Sequence, residues 1–148
     1  MADRITVPNV GSLPEIVIDV LRNATGGGHG IGDGQAYTTK PEYPHTVVYS
    51  LPSSPVTGSA GVGHERIHRA TIQLTHVGID RKQVDQIGDH VKTIMMGQTI
   101  RPRAWKYAMG DDQIVVIDRA FQKGEAVIPN GTDVWQRADR YLLVVSPV

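Results

Sequence analysis

The chain has 148 residues, enough for one domain with a sizeable buried core, and it carries 15 basic against 15 acidic side chains. The resulting net charge of zero argues against a protein that binds nucleic acid or a charged membrane surface, since both require a basic bias. The lack of cysteine excludes disulfides and thiolate sites, and the lack of a long apolar run predicts a soluble, cytoplasmic protein without signal peptide or membrane span.

The first part of the chain predicts an arm, a helix and a loop. Residues 1–12 are interpreted as an N-terminal arm, so the folded domain is expected over residues 13–148. Over residues 13–22 the apolar side chains recur every three or four positions, which is typical of an amphipathic helix. The glycine-rich run over residues 26–34 predicts a surface loop. It follows a helix and has Asp33 where a dinucleotide-binding loop requires glycine.

The middle of the chain predicts a β-hairpin. Residues 46–51 form a short apolar strand, and residues 66–77 form a longer one in which polar and apolar side chains alternate from His68 onward. This alternation is typical of a strand with one buried face and one wet face. A loop over residues 53–63, rich in Gly, Ser and Pro, is expected to join the two strands.

A second helix is predicted directly after this hairpin. Asp80 and Gln83 are spaced as an N-terminal capping box, and Gly97 suits the end of the helix. Because only a two-residue turn separates the strand from the helix, we expect their apolar faces to pack against each other as the core. The apolar stripe of this helix consists of Val84, Ile87, Val91, Ile94 and Met95.

The remainder of the chain predicts two further strands and long loops. Residues 97–112 are irregular, residues 114–117 form a short apolar strand, and residues 134–145 form the closing strand after a loop over residues 122–133. The predicted fold class is α+β: a single small domain with a mainly antiparallel four-stranded sheet, two helices packed on one face, and long loops. Loops of such length are generally functional, and we expect them to contact neighbouring molecules.

One motif has the spacing of an enzyme site. His64, Glu65 and His68 match H-E-x-x-H, in which two histidines one helical turn apart share a zinc ion. This chemistry requires a helix, whereas the alternation from His68 onward indicates an extended chain, on which four residues span roughly 13 Å. A zinc-dependent hydrolase is therefore only an alternative, and no catalytic, cofactor-binding or metal-binding residue is predicted.

Charged residues elsewhere favour solvent or protein contacts. Asp85 and Asp89 lie four apart on the polar side of the second helix, beside several cations, and are interpreted as a solvated face. No spacing identifies a partner for His76. Since Arg and Trp are common anchors at protein interfaces, a protein–protein contact rather than a phosphate contact is predicted for the cluster of Arg101, Arg103, Trp105 and Lys106.

The order of the elements and two short motifs resemble the tail-terminator proteins of long-tailed bacteriophages. In that family a strand runs into x-V-G-x-x-R-x-Q and a helix, and this chain has Val77-Gly78-Ile79-Asp80-Arg81-Lys82-Gln83. The closing family pattern D-R-[YF]-x-L matches residues 139–143. The resemblance covers residues 13–147, except that residues 26–34 and 97–112 do not match the family pattern.

The resemblance implies a structural virion protein without catalytic residues or cofactors, made in the host cytoplasm. Such a protein forms a ring, usually of six copies, at the head-proximal end of the tail, where it ends tube polymerisation and joins the tail to the head or neck. Its expected partners are copies of itself, the major tail tube protein and a head or neck connector protein. DNA is expected to pass through the channel without specific binding, and no membrane is involved.

Another neck or head-completion protein is the alternative within the same structural class. In either case the candidate assembly-interface residues lie in the loops and at the start of the second strand of the hairpin. They are Ser54, His64, Arg66, Arg69, Arg101, Arg103, Trp105 and Lys106.

Overall fold

The computed structural model describes residues 13–26, 30–33, 43–51, 54–55, 67–99, 105–129 and 133–148, so the predicted arm over residues 1–12 lies outside the described residues. Within these ranges the chain forms two α-helices and seven β-strands. In chain order they are α1 (Leu13–Thr25), β1 (Gly30–Asp33), β2 (His45–Ser50), β3 (Ser54–Pro55), β4 (His68–Gly78), α2 (Arg81–Met96), β5 (Ile114–Gly124), β6 (Ile128–Pro129) and β7 (Trp135–Pro147). Neither of the two described helices has the length and apolar character needed to cross a bilayer.

The strands form one mixed sheet in the order β1-β2-β4-β7-β5, with β3 beside β4 and β6 beside β7. All pairs are antiparallel except β1 with β2, which are parallel. The prediction of a four-stranded sheet is wrong, although the four predicted strands are neighbours. The short strands β1, β3 and β6 extend the sheet from segments predicted as loops. Each has only two to four residues, too few to show an alternation of its own.

β5 is longer than its sequence pattern predicts. The predicted strand ends at Ile117, whereas β5 continues along β7 as far as Gly124. The pairing register shifts between Val116 and Asp118, and once more near the end of the strand, which is the signature of β-bulges. Each extra residue moves the side chains that follow to the opposite face. The alternation that identifies a strand is therefore lost after Ile117.

The core lies between the two helices and one face of the sheet. On this face β4 carries Ala70, Ile72 and Leu74, all at most 1 % exposed, and one buried cluster joins them to both helices. Burying a large aliphatic side chain contributes about 1.5–3 kcal/mol, so the apolar side chains of this sheet face and of the two helices supply most of the driving force for folding. The helical stripes consist of Leu13, Ile16, Val17, Ile18 and Leu21 on α1, and of Val84, Ile87, Val91, Ile94 and Met95 on α2.

The start of α2 confirms the predicted capping box, and the helix ends at the predicted glycine. Asp80 Oδ1 accepts a hydrogen bond from the Gln83 backbone N–H at 2.7 Å, and Gln83 Oε1 accepts from the Ile79 N–H at 2.9 Å. The helix ends at Gly97, whose φ of −67° is not left-handed. A Cβ at Gly97 would lie 2.8 Å from the Thr93 carbonyl oxygen, so a close approach, rather than backbone conformation, requires glycine there.

Over much of β4, β7 and β5, the other face of the sheet is not covered by any element that the structure describes. In register, Arg69 of β4 lies beside Val144 of β7, and Val144 lies beside Asp118 of β5. No helix of the described ranges packs on this side, and its side chains are exposed or half-buried. We call this surface the open face and define it by Tyr49, Arg69, Thr71, Gln73, Asp118, Ala120, Arg140, Leu142 and Val144.

Candidate interaction surface

A groove with a volume of about 640 Å³ crosses one end of the open face. Arg69 and Asp118 stand on either side of Val144, so opposite charges flank an apolar floor. Ile117, at the bulge of β5, is 48 % exposed. Exposed apolar surface rimmed by polar groups is typical of protein-binding sites. The lining residues are Ile67, Arg69, Gln98, Trp105, Ile117, Asp118 and Val144.

The segment that supplies Trp105 is tied to the end of α2. Trp105 forms a β-bridge with Gln98, and the Lys106 N–H donates to the Gly97 carbonyl at 3.1 Å. The guanidinium of Arg119 lies 4.6 Å from the centre of the Trp105 ring, within the range of a cation–π contact. The indole is thereby held at the wall of the groove, and a preformed wall lowers the entropy cost of binding a partner.

Arg119 is only 4 % exposed and couples the end of α2 to this segment. Its guanidinium donates to the carbonyl of Met95 at 3.3 Å and to the carbonyl of Tyr107. Met95 lies in the last turn of α2, where the carbonyls form the negative end of the helix dipole. Burial lowers the pKa of Arg119 from 12.5 to about 10, so the side chain remains a cation at neutral pH.

The open face carries an excess of positive charge. Arg69 is exposed and forms no ion pair with any residue that the structure describes. Arg140 Nε donates to Gln73 Oε1, a neutral acceptor, at 3.2 Å. Asp118 is the acidic residue of this face, and its Oδ1 accepts from the Arg119 backbone N–H at 2.9 Å. Among the described residues that define this face, two cations therefore stand against one anion.

Four side chains form a buried network between β2, β4 and β7. His76 Nδ1 lies 2.8 Å from Thr46 Oγ1. His76 Nε2 lies 3.5 Å from Asp139 Oδ2, an ion-pair distance that is too long for a well-formed hydrogen bond. Arg137 Nε donates to Asp139 Oδ1 at 3.0 Å. Thr46, His76 and Asp139 are each 0 % exposed, so the network belongs to the interior.

The buried network combines a neutral imidazole with a charged carboxylate. A neutral imidazole has one donor and one acceptor nitrogen, and the Thr46 hydroxyl can take the complementary role, so this hydrogen bond suits either tautomer of His76. Burial lowers the pKa of His76, and the smaller opposing effect of Asp139 does not restore it. Burial alone would raise the pKa of Asp139, but His76 and Arg137 together hold it below its usual value.

Arg137 links the buried network to the outside of α2. Its Nη1 lies 3.3 Å from Asp85 Oδ1 and 3.2 Å from Asp89 Oδ1. Burial alone would lower the pKa of Arg137, but Asp139 and Asp89 raise it. The two α2 carboxylates are 55 % and 74 % exposed, which confirms the predicted solvated face. Their partner on β7 is 52 and 48 residues away and cannot be found from local spacing.

Thr46, His76 and Asp139 are the residue types of a nucleophile, a base and an orienting carboxylate. None of them is accessible, and a nucleophile has to reach its substrate. The hydroxyl of Tyr141 is buried in the same region, and burial raises its pKa. The polar contacts of this buried network join β2, β4 and β7 within the core.

Three of the predicted interface residues meet at one end of the open face. Ser54 pairs with Arg69 in the β3–β4 register, and Trp105 lines the same groove as Arg69. Lys106 is exposed, with its ammonium 5.4 Å from the centre of the Tyr107 ring, and does not line the groove. The other predicted interface residues lie outside the described residues: His64, Arg66, Arg101 and Arg103.

Of the three residues that would form the zinc site, the structure describes only His68. His68 is the first residue of β4 and pairs with Val145, so it lies on a strand, as the alternation predicts. His64 and Glu65 lie outside the described residues. Over the described ranges, no group of three or more His, Cys, Asp or Glu side chains could hold a metal ion.

The sequence pattern does not identify Ile117, Asp118 and Val144 as members of one groove. Ile117 and Val144 belong to apolar runs that read as buried strands. The polar Arg140 next to the apolar Tyr141 indicates that β7 has one polar and one apolar face. It does not indicate that no helix packs on the polar face. The local sequence also does not predict the bulge at Ile117, because the position of the bulge depends on how β5 pairs with β7.

A comparison with models of known protein families finds none that matches this chain, and a search of curated proteins finds no significant relative.

Proposed function

We propose that this chain is a structural virion protein of the tail-terminator type. In this proposal it forms a ring that caps the head-proximal end of a phage tail tube, ends tube polymerisation and joins the tail to the head or neck. The observation that carries the proposal is the open face. Among the residues that the structure describes, it is the side of the sheet on which no helix packs, and it carries a groove and Arg69, which forms no ion pair with a described residue.

The first motif of the resemblance, residues 77–83, has a structural role in this chain. This supports a protein family whose members act through their fold and their contacts rather than through catalysis. A Cβ at Gly78 would lie 2.7 Å from Gln83 Oε1, so glycine makes room for the capping glutamine. Asp80 caps α2 from the other side. The Arg81 guanidinium lies 5.8 Å from the centre of the Trp135 ring and joins the start of α2 to β7.

The second motif divides its residues between the two faces of the sheet. Asp139 and Tyr141 are fully buried on the side of the helices, where Asp139 belongs to the buried network. Arg140 lies between them in sequence and belongs to the open face, beside Gln73. A motif that serves the core on one side and the open face on the other supports a protein that works through contact with other chains.

The proposal is tested by the oligomeric state of the purified chain. A ring of six copies has six times the mass of one chain of 16.1 kDa, about 97 kDa. Mass photometry is expected to give this particle, and negative-stain images are expected to show a ring with a central channel. A chain that remains at 16.1 kDa, alone and with tail tube protein present, would refute a ring-forming function.

A tube-polymerisation assay separates a tail terminator from a neck connector protein. The tail tube protein from the same phage is polymerised with and without this chain, and tube lengths are measured in the electron microscope. A terminator is expected to sit at one tube end and arrest growth. Unchanged tube lengths, together with binding to head or neck proteins, would favour the connector alternative.

A further inference from the structure

We propose that the open face of one copy docks helix α1 of the next copy, with Arg69 opposite the acidic residues Glu15 and Asp19. This inference rests on the proposed function and deepens it, because it names the two surfaces that meet between neighbours in the ring. The occupant of the groove is thus a second copy of this chain.

The outer side of α1 is acidic. Glu15 and Asp19 are exposed one helical turn apart, and neither forms an ion pair within the described ranges. Like charges at this spacing repel each other. Arg22 follows on the same side, but its guanidinium already donates twice to the Ile31 carbonyl, at 3.1 and 2.6 Å. Within the described ranges the acidic pair therefore forms no ion pair, since the Arg22 guanidinium is directed at the Ile31 carbonyl instead.

The open face offers a cation together with apolar contact area. Arg69 is exposed at the edge of the groove, next to Val144 and within reach of the groove walls formed by Ile117 and Trp105. Asp118 lies on the far side of Val144 from Arg69. A helix whose acidic pair points toward Arg69 keeps that pair away from Asp118, so the charge pattern also selects one orientation.

The two surfaces lie on opposite sides of the molecule. α1 packs against the inward face of the sheet, whereas the open face is the reverse side, so one chain cannot join its own two surfaces. Contact between two different surfaces of identical chains is heterologous, and it yields a ring when the rotation from copy to copy closes. A two-fold dimer would instead require one patch that is complementary to itself.

Charge reversal tests this pairing with two variants. Arg69→Glu makes both surfaces negative, and Glu15→Lys combined with Asp19→Lys makes both positive. Each variant alone is expected to need a concentration roughly tenfold or more above that of the wild type for assembly, because like charges then face each other. An equimolar mixture is expected to restore assembly, since every contact in an alternating ring of even number again pairs opposite charges.

Matched controls carry the same charge changes elsewhere on the exposed surface. Lys82→Glu on α2 controls for Arg69→Glu, and Glu125→Lys with Asp133→Lys controls for the helix variant. All controls are expected to assemble like the wild type. Thermal melts verify that each variant is folded. If lysine at position 15 disturbs the first turn of α1, Asp19→Lys alone provides the same test.

The outcomes separate this inference from the proposed function. If the wild type forms rings and both reversed variants do so equally well, or if their mixture does not restore assembly, the proposed docking of α1 is wrong while the ring stands. If the wild type forms no ring under any condition, the proposed function fails and the docking fails with it. If the mixture assembles while each reversed variant alone does not, and the controls assemble like the wild type, the pairing of Arg69 with the acidic residues of α1 is established.

Discussion

Single residues in the interior carry charges that the fold has to keep paired. Asp139 is fully buried and stays ionised because Arg137 donates to it at 3.0 Å, while His76 stays neutral because burial lowers its pKa. A buried charge that loses its partner costs several kcal/mol. The buried network is therefore stable only with a neutral His76 and an ionised Asp139. As a consequence, the stability of the protein depends on pH.

His76→Gln is expected to weaken the loss of stability in mild acid. The folded-state pKa of His76 lies below its usual 6.5, so between those two values the unfolded chain binds one more proton than the folded chain. The free energy of unfolding thus falls as the pH drops below about 6.5, by up to about 1.4 kcal/mol per pH unit. Glutamine still bonds Thr46 but does not titrate. Urea denaturation between pH 7 and 5 measures the difference.

The control for this prediction is His90→Gln, the same change at an exposed position of α2. It is expected to follow the wild-type curve. A further loss below pH 3.8 is expected in all three proteins, because the pKa of Asp139 is lowered from 3.8 in the folded state. If the wild type and His76→Gln lose stability in parallel between pH 6.5 and 5, His76 is not the titrating group.

At the scale of elements, α2 and β7 are joined by an arginine that passes over a glycine. Gly88 lies in the middle of α2, where glycine is about 1 kcal/mol less favourable than alanine. A Cβ at this position would lie 2.8 Å from Cζ and Nη1 of Arg137. The glycine thus lets the Arg137 side chain lie against the helix and reach Asp85 and Asp89 on its surface.

Gly88→Ala is expected to destabilise the protein by about 1–2 kcal/mol, despite the better helix propensity of alanine. The new methyl group displaces the Arg137 guanidinium and weakens its hydrogen bond to the buried Asp139. In an Arg137→Lys background, in which no guanidinium crosses the helix, the same change is expected to be neutral or stabilising. Chemical denaturation of the four proteins gives the coupling energy. A Gly88→Ala effect of equal sign in both backgrounds would contradict this account.

On the scale of the whole molecule, the sheet has a protected centre and two different edges. β4 pairs with β2 and β3 on one side and with β7 on the other, and β7 pairs in turn with β5 and β6. The β1 edge is covered in part by Arg22, which bonds the Ile31 carbonyl. The β5 edge bonds residues 109–111 near its start, and no other described segment pairs with it there. Capping an edge in this way limits unwanted strand pairing.

Amide hydrogen exchange is expected to follow this arrangement. Amides of β4 and β7 are paired on both sides and should exchange most slowly, at the rate set by global unfolding. Amides of β1, a four-residue edge strand, should exchange through local opening and therefore much faster. Mass spectrometry of peptides covering these strands measures the difference. Equal protection of β1 and β4 would show that the sheet opens only as a unit.

The sequence by itself determined the elements whose signals are local. Asp80 and Gln83 meet within one turn of backbone, so their spacing alone predicts the cap of α2. The alternation after His68 predicts β4, and the helical stripe predicts which side of α2 is buried. These features depend on residues no more than about four positions apart, and the α+β class follows from their order along the chain.

Only the tertiary structure decided which surfaces are covered and which distant residues meet. The three short strands exist because neighbouring strands pair with them, and the bulge that exposes Ile117 follows from the register of β5 on β7. His76 meets Thr46 across 30 residues, and Arg137 meets Asp85 across 52. Such contacts depend on how the packed elements bring remote segments together, and no local period records that. The open face, which the proposed assembly uses, exists for the same reason: both helices pack on the other side of the sheet.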